Sequence, residues 1–460
     1  MSEEAPYRPF WFRLTPFLGR PPQLTQQQWS VLGLVAIVSL FEQYDLYLFS
    51  LNLRHIQTDL AIAEAELGWF GSLVRSGALL SILIALAADR FGRRRILLVT
   101  VLAYTLLTGA TAFAPDAWSF VALQFCARAF AVAETLIAIV VIAEEFEPQH
   151  RGWGIGALGA IQACGAGLAA LAFGFVDLLP GGWRSLYLVG LVPLLLVAHW
   201  RRSMPETSRF TQLQRERATA LRAAPPLQPI VELLRTRPGR LTSLAAVALL
   251  LSLATSTGAF FAPKFLQDVH GWSPAAVASL NFLGGALAIV GNPLAGWLSD
   301  RRGRRPITVL FALAYAGVTI VFYSATGVLA PALWVLLIFS MMGTDVTLGT
   351  YGAELFPTSQ RSTASGLRMG AKELGGVAGL ALVSLLFGQV GSNWSAIAIL
   401  CGVSLAAPLL VWLAFPETAG RSLEEIAPEP GTAQSTPPTT SSSRGPMRAA
   451  TEVSRSASKP

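Results

Sequence analysis

Charged side chains are scarce in this sequence. Asp, Glu, Lys and Arg make up only 13% of its 460 residues, about half of the ~25% that is usual in soluble domains. Apolar residues make up 53%, and apolar stretches of ~20 residues, long enough to span a bilayer as a helix, recur along most of the chain. The sequence therefore predicts a polytopic membrane protein. The opening MSEE is acidic and the first apolar run is too long for a signal-peptide core, so we expect that run to remain as the first span.

Residues that bind metals or carry out catalysis are also rare. The three cysteines fall in predicted spans and form no CxxC pair, so we interpret them as small apolar residues. The four histidines lie near predicted helix ends, and there is no HExxH motif. We expect no metal, no cofactor and no enzymatic activity. The net charge of +7 follows from arginines in the loops, so no nucleic-acid partner is expected.

Apolar runs bounded by charges, Pro and Gly predict twelve spans. They cover residues 30–53, 66–88, 95–113, 117–143, 153–178, 183–200, 241–266, 274–299, 305–327, 330–355, 362–390 and 393–415. The N-terminus, the C-terminal tail and the loops that follow even-numbered spans together hold 28 of the 34 basic residues, whereas the loops that follow odd-numbered spans hold three. By the positive-inside rule this bias places both termini in the cytoplasm and the chain in the cytoplasmic (inner) membrane.

The spans divide the chain into five regions. We expect a cytoplasmic segment at 1–29, a six-helix bundle at 30–200, a basic cytoplasmic loop at 201–240, a second bundle at 241–415 and a cytoplasmic tail at 416–460. The end of the tail is rich in Ser, Thr and Pro, and this composition is typical of disordered segments.

Three sequence pairs recur at nearly one offset. DRFGRRR from Asp89 returns as DRRGRRP from Asp300, 211 residues later, and PET at Pro205 returns at Pro416 with the same offset. EFEPQHR from Glu145 matches ELFPTSQR from Glu354. Six spans separate the members of each pair, so the pattern predicts a parallel repeat of two six-helix halves.

These motifs resemble those of the major facilitator superfamily, and the resemblance covers residues 30–426. It implies an all-α fold of twelve helices in two pseudo-symmetric bundles, with helices one, four, seven and ten around a central cavity. The nearest resemblance is to metabolite:proton symporters related to sugar porters. The paired glutamines of sugar porters are absent from helix seven, and the Gly-Pro motif of drug/proton antiporters is absent from helix five. Helix four of the family usually carries an arginine followed by spaced glycines. This sequence has the arginine, Arg128, but Val132 and Glu134 stand at the glycine positions.

The resemblance also implies a cytoplasmic gate, formed by charged contacts that close and open as the bundles move. Its predicted residues are Asp89, Arg90, Gly92, Arg93, Arg94, Glu145 and Arg151 in the first half, and Asp300, Arg301, Gly303, Arg304, Glu354 and Arg361 in the second. The alternative is a solvated basic loop that only fixes topology.

Eight ionisable residues lie well inside predicted spans, away from the span ends. The acids are Glu42, Asp45, Glu134, Asp345 and Glu373, and the bases are Arg75, Arg128 and Lys372. Each would cost ~2.5–3.5 kcal/mol if it faced lipid, so we expect them to pair or to face a cavity. Complete pairing still leaves two acids over. An unpaired carboxylate in a low-dielectric interior tends to hold a proton, although a bound cation is an alternative.

The predicted roles follow from depth, helix face and family analogy. Asp45, Glu42, Glu134 and Asp345 are candidates for proton coupling, and Arg128, Arg75, Gln162, Lys372 and Tyr351 for substrate binding. Family analogy predicts that Asp45, Arg128, Glu134 and Asp345 face the cavity.

The expected contacts leave alternatives open. Glu42 and Asp45 share a helical face, which we expect to meet Arg128 or Arg75; an ion pair that only fastens helices, such as Arg75 with Glu42, is the alternative. Lys372 and Glu373 point about 100° apart and are expected to have different partners. For Tyr351 the alternative is packing.

The function predicted from these features is secondary active transport of a small polar metabolite, an organic anion or a sugar-like compound, coupled to protons through alternating access. The expected partners are this substrate, protons and the lipid bilayer, with the monomer as the functional unit. One alternative is a proton-driven exporter of amphipathic compounds. The other is a membrane sensor that binds a metabolite without transporting it.

Overall fold

The computed structural model describes residues 8–147, 149–201, 228–325, 327, 329–357 and 360–428, which form helices and no strand. Twelve long helices are labelled α1 to α12 in chain order. They are Gln26–Leu51, Leu67–Phe91, Arg93–Thr111, Ala117–Glu145, Arg151–Phe173, Trp183–Arg201, Pro238–Asp268, Pro274–Arg302, Arg304–Ser324, Ala330–Glu354, Arg361–Val390 and Asn393–Ala414. Each boundary lies within a few residues of the predicted span. Most of the predicted central loop and most of the predicted tail fall at 202–227 and 429–460, outside the described residues.

Local signals in the sequence set where the helices start. Thr25 forms a capping box with Gln28 before α1, and the Asp116 side chain accepts from the backbone N–H groups of Trp118 and Ser119 before α4. These caps satisfy backbone donors that have no partner inside the helix.

A single glycine joins α2 to α3, and another joins α8 to α9. Gly92 and Gly303 are 211 positions apart, and both have φ of 103°, a value that side chains with a Cβ rarely adopt. The backbone conformation at these two predicted gate positions therefore favours glycine over any other residue.

The two halves pack in the same way. In the first half α1 packs against α5 and α6, and α4 packs against α2 and α3; in the second half α7 packs against α11 and α12, and α10 packs against α8 and α9. Gly165 of α5 lies on the Leu40 carbonyl of α1, and Gly375 of α11 lies on the Leu249 carbonyl of α7. A side chain at either glycine would overlap the facing backbone. The protein thus consists of two pseudo-symmetric six-helix bundles.

Because successive helices alternate in direction, the start of α1 and the end of α12 lie on one side, here called the terminal side. The opposite side is the distal side. Described hydrogen bonds and ion pairs between the bundles run from mid-depth to the distal side. Ser50 Oγ donates to the Phe260 carbonyl at 2.8 Å, Ser72 Oγ donates to the Val377 carbonyl at 2.8 Å, and Ser384 Oγ accepts from the backbone N–H of Trp69 at 3.0 Å. The bundles are therefore joined on the distal side.

Candidate functional site

A small open pocket lies between α7, α10 and α11 of the second bundle. Ser252 and Thr255 of α7 and Thr344 of α10 supply hydroxyls to its wall, and Asp345 and Lys372 supply charges. Polar groups of this kind on an otherwise apolar wall are typical of small-molecule sites.

Asp345 and Lys372 form an ion pair in this pocket. Lys372 Nζ lies 2.9 and 2.8 Å from the two carboxylate oxygens of Asp345. The Asp345 side chain remains 44% exposed and the Lys372 side chain 27% exposed. Both charges are thus paired while they stay open to a ligand.

Arg368 is a pocket neighbour that sequence reasoning missed. It lies one turn before Lys372 on α11 and interacts electrostatically with Asp345. Its Nε is buried and meets no hydrogen-bond acceptor among the described residues. Arg368 stands near the start of the predicted span 362–390 and is one of the 28 basic residues counted with the connecting segments, although its i, i+4 spacing from Lys372 places both on one helix face.

The acids of the first bundle do not face this pocket. Asp45 is buried and accepts a hydrogen bond from the Tyr104 hydroxyl, and Glu42 is buried and accepts from the Thr135 hydroxyl. Glu134 is fully buried as well. Asp45 and Glu134 are thus buried, and neither lines the pocket of the second bundle. The expectation that they face the cavity stays a prediction. Their part in proton coupling stays a prediction.

Arg75 pairs with the other bundle rather than with Glu42. Its Nε lies 3.2 Å from Glu373 Oε2 of α11, and Arg128 of α4 lies 3.9 Å from the same oxygen. The alternative of an Arg75–Glu42 fastener is therefore wrong here. Lys372 and Glu373 do have different partners, as their helix positions predicted.

The two remaining substrate-binding candidates differ. Gln162 Nε2 is buried without a described acceptor, so Gln162 stays a candidate. Tyr351 is fully buried, donates to the Pro416 carbonyl at 3.2 Å and stacks edge-on with Phe415 at 4.8 Å. Tyr351 lies near the terminal end of α10 and packs there, so its assignment to substrate binding is wrong in this structure.

The predicted gate residues of the second half form a network on the terminal side. Arg304 Nη2 lies 2.9 Å from Glu354 Oε1 and its guanidinium also contacts Asp300, while Thr418 Oγ1 donates to Glu354 at 2.6 Å. Arg301 stacks on the Trp297 ring at 4.5 Å. All these contacts stay within one bundle, which agrees with a terminal side where no described charged contact joins the bundles.

Glu417 of the second PET motif completes this network. It accepts from the backbone N–H groups of Arg304 at 2.7 Å and Arg305 at 3.2 Å, at the start of α9. Burial raises the pKa of Glu417, but the N–H donors of Ala419, Arg304, Arg305 and Thr418 lower it by more, so the pKa lies below its ordinary value. Glu417 is thus held as a carboxylate that caps α9.

In the first half the gate is described only in part. The side chains of Asp89, Arg90, Arg93 and Arg94 lie outside the described set. Glu145 accepts from Gln27 at 3.3 Å, and Arg151 donates to the Phe146 carbonyl at 3.1 Å. Arg361, in the second half, has a buried Nε without a described acceptor. A gating role for these residues stays a prediction.

A charged cluster on the distal side also joins the bundles and was not predicted. Lys264 of α7 is buried, contacts Asp268 and lies 3.2 Å from Glu64 of the first bundle. Arg54 lies 3.1 Å from Asp268, and Asn393 Nδ2 donates to Glu64 at 2.9 Å. In the sequence these charges look like ordinary helix ends, because their partners in the other bundle are 200 or more residues away.

The sequence and the fold both match known transporters. The cis,cis-muconate transport protein of Acinetobacter baylyi is 28% identical over 400 residues, which cover 82% of this chain and 93% of that protein. The niacin transporter NiaP of the same organism is 25% identical over 423 residues, covering 86% and 96%. The inward-open conformation of the xylose transporter XylE from E. coli has the same fold, with a TM-score of 0.68 at 18% identity over 87% of this chain and 99% of that chain. The sequence model described as Major Facilitator Superfamily matches residues 35–353, more than half of the chain. The chain therefore belongs to the Major Facilitator Superfamily of membrane transporters.

Proposed function

We propose that this protein takes up a small organic anion together with protons, by alternating access across the cytoplasmic membrane. Both termini then lie in the cytoplasm, as the distribution of arginines predicts. The terminal side is the cytoplasmic side in this orientation, and the monomer with its two bundles is the transport unit.

The observation that carries the proposal is the charge of the pocket in the second bundle. Lys372 and Arg368 bring two cations to one face of α11, and Asp345 neutralises only one of them. One positive charge and several hydroxyls are thus available to a ligand. A carboxylate fits this arrangement because it supplies acceptors for guanidinium and ammonium donors.

The names of the relatives support the same substrate class. Muconate and niacin are small unsaturated carboxylic acids, and the proteins named for their transport match this chain over most of its length. A sugar-like substrate is less favoured, because neutral hydroxyls would leave the extra positive charge of the pocket without a counter-charge.

Two features support proton coupling and alternating access. Glu42 and Asp45 are buried carboxylates that accept hydrogen bonds from hydroxyl groups, and no described lysine or arginine lies within ion-pair distance of either. Carboxylates of this kind in membrane spans are typical of proton pathways. Among the described residues, the polar contacts that join the two similar bundles run from mid-depth to the distal side, and this arrangement suits rocking about a midplane site.

Uptake by proteoliposomes tests the proposal. Purified protein would be reconstituted and offered radiolabelled niacin, muconate and gallate, with and without an inward proton gradient. We expect at least one acid to accumulate only with the gradient and only in liposomes that contain the protein. Equal uptake without the gradient would contradict proton coupling, and efflux without uptake would favour an exporter.

A further inference from the structure

Glu373 holds the two bundles together at mid-depth through two arginines. Its carboxylate lies 3.2 Å from Arg75 Nε and 3.9 Å from Arg128, and the hydrogen bond from Arg75 Nη2 measures 3.3 Å. Arg75 and Arg128 belong to α2 and α4 of the first bundle, whereas Glu373 belongs to α11 of the second. Within the described spans, this is the ion pair that crosses between the bundles away from the distal surface.

The contact leaves hydrogen-bonding capacity unused. Arg75 Nε, Arg128 Nε and Glu373 Oε2 are all buried and have no hydrogen-bond partner among the described residues. Two guanidinium groups thus share one carboxylate through a single long hydrogen bond. A well-placed carboxylate would normally engage one guanidinium through two bonds of about 2.7–2.9 Å.

The three side chains are not sealed from the space between the bundles. Arg75 and Glu373 remain 21% exposed, and Arg128 remains 14% exposed. Glu373 also directly follows Lys372, which lines the pocket of the second bundle. Ser256 and Arg75 Nε both lie beside Gly376, and Ser256 is hydrogen-bonded at 3.1 Å to Ser252 of the pocket wall, so a short polar path connects the pocket with the arginine pair.

We infer that the carboxylate of the substrate replaces Glu373 on Arg75 and Arg128, and that the released Glu373 carries the coupled proton. The inference rests on the proposed function, of which it names the coupling residue. The proton comes from water and binds a Glu373 oxygen as the ion pair with Arg75 breaks. The substrate carboxylate then forms ion pairs with both guanidinium groups, so one carboxylate takes the place of another.

Charge balance follows from this exchange. Two arginines and one glutamate carry a net charge of +1, and the same group with one monocarboxylate and one proton added again carries +1. The loaded and empty sites therefore have equal charge. A monocarboxylate should move together with one proton, without net charge transfer across the membrane.

The exchange also connects binding to movement. The Arg75–Glu373 pair continues the α2–α11 contact that Ser72 and Val377 make nearer to the distal side. Loss of this pair removes a charged contact between α2 and α11, so substrate and proton together favour parting of the bundles on the distal side.

The charges around Glu373 define which groups affect its titration. Arg75 faces it from α2 and Arg128 from α4, and Arg128 also interacts electrostatically with Glu42. Asp345 of α10 is bound to Lys372, and α12 carries no charged residue. The side chains of α7 near Arg75 include Ser256, which does not titrate. Short segments packed on the two ends of α11 carry Glu232, Arg235, Glu64 and Glu66.

The test uses proteoliposomes with nicotinate and gallate as probes. For wild-type protein we expect about tenfold accumulation for each pH unit of inward gradient, because one pH unit equals a tenfold proton ratio (about 1.4 kcal/mol). A potential imposed with potassium and valinomycin should drive no accumulation. Glu373→Gln should still exchange internal for external probe, which shows that it is folded and binds, but should lose accumulation driven by the pH gradient.

Glu64→Gln is the matched control, since Glu64 also joins the bundles but lies at the distal surface. It should keep the coupling to protons. Coupled uptake by Glu373→Gln, or loss of coupling in Asp45→Asn while Glu373→Gln keeps it, would overturn the inference and leave the proposed function intact. Uptake driven by the potential would contradict the charge balance. Absence of wild-type uptake with both probes would remove the proposed function and this inference together.

Discussion

At the scale of single residues, the arginines within the spans are the feature that separates this protein from an inert helical bundle. Arg75, Arg128 and Arg368 each have a buried Nε without a described acceptor. A buried donor without a partner costs about 1–3 kcal/mol. Such donors are therefore stabilised by a ligand that supplies acceptors, as a carboxylate does.

Arg368 allows a direct test of this view. Arg368→Gln should raise the half-saturating concentration of the transported acid about tenfold, since a charge-assisted hydrogen bond contributes about 1.5 kcal/mol or more. The maximal rate should change less, because Lys372 and Asp345 remain. Initial uptake rates over a range of substrate concentrations measure both quantities.

Arg235→Gln serves as the control, because Arg235 is an exposed arginine on the short helix Gln228–Thr236, away from the pocket. Its uptake should match that of the wild type. An unchanged half-saturating concentration in Arg368→Gln would show that Arg368 does not contact the substrate.

At the scale of helices, the repeat is visible in how each element begins and packs. Glycines Gly92 and Gly303 make the same turn, and small residues on α5 and α11 let the backbones of α1 and α7 approach closely. Within the second half, Glu417 holds the start of α9 from a segment more than 100 residues later. The second PET motif is thus a helix cap in this structure.

The lowered pKa of Glu417 predicts how acid affects stability. Its capping contacts stabilise the fold while it is ionised, so the stabilisation is present above the ordinary value of 4.5 and is lost as the pH falls through the lowered value. Glu417→Gln should reduce the free energy of unfolding by about 1 kcal/mol at neutral pH. Melting temperatures of the two proteins in detergent should converge as the pH falls below 4.5; an equal difference at all pH values would contradict a charged cap.

The glycine contacts of α11 predict two opposite outcomes on one helix. Gly375→Ala should lower the melting temperature by a few degrees, since the new Cβ would overlap the Leu249 carbonyl and overpacking costs about 1–3 kcal/mol. Gly370→Ala is the matched control, because no other atom lies within 4 Å of the added carbon. It should leave the melting temperature unchanged or raise it. Equal effects of the two substitutions would show that the close approach of α7 and α11 does not matter.

The helices and their repeat could be predicted from the sequence, because the signals for them lie within short stretches of the chain. Long apolar runs with charged ends predicted the spans, and motifs that recur 211 residues later predicted the repeat. The partners of the buried charges could not be predicted, because Arg75 and Glu373 are 298 residues apart and helix periodicity does not say which helices touch. Arg368 was missed for another reason: an arginine in the first two turns of a span looks like part of the preceding loop.

At the scale of the whole molecule, two similar bundles meet through a small set of polar contacts. A charged cluster around Lys264 closes the distal surface, and the Arg75–Glu373 pair lies deeper along the same interface. The charged network around Arg304 and Glu354 on the terminal side stays within one bundle. Among the described residues the polar contacts between the bundles thus lie from mid-depth to the distal side, as expected of a carrier whose substrate reaches the midplane from one side at a time.

The most direct test of the central claim is whether protons enter together with the substrate. Proteoliposomes filled with a pH-sensitive dye would receive external nicotinate or gallate, without an imposed pH gradient and with the potential clamped to zero. The account predicts acidification of the lumen that requires the protein, at about one proton for each acid molecule taken up. Uptake of the acid with an unchanged internal pH would contradict it.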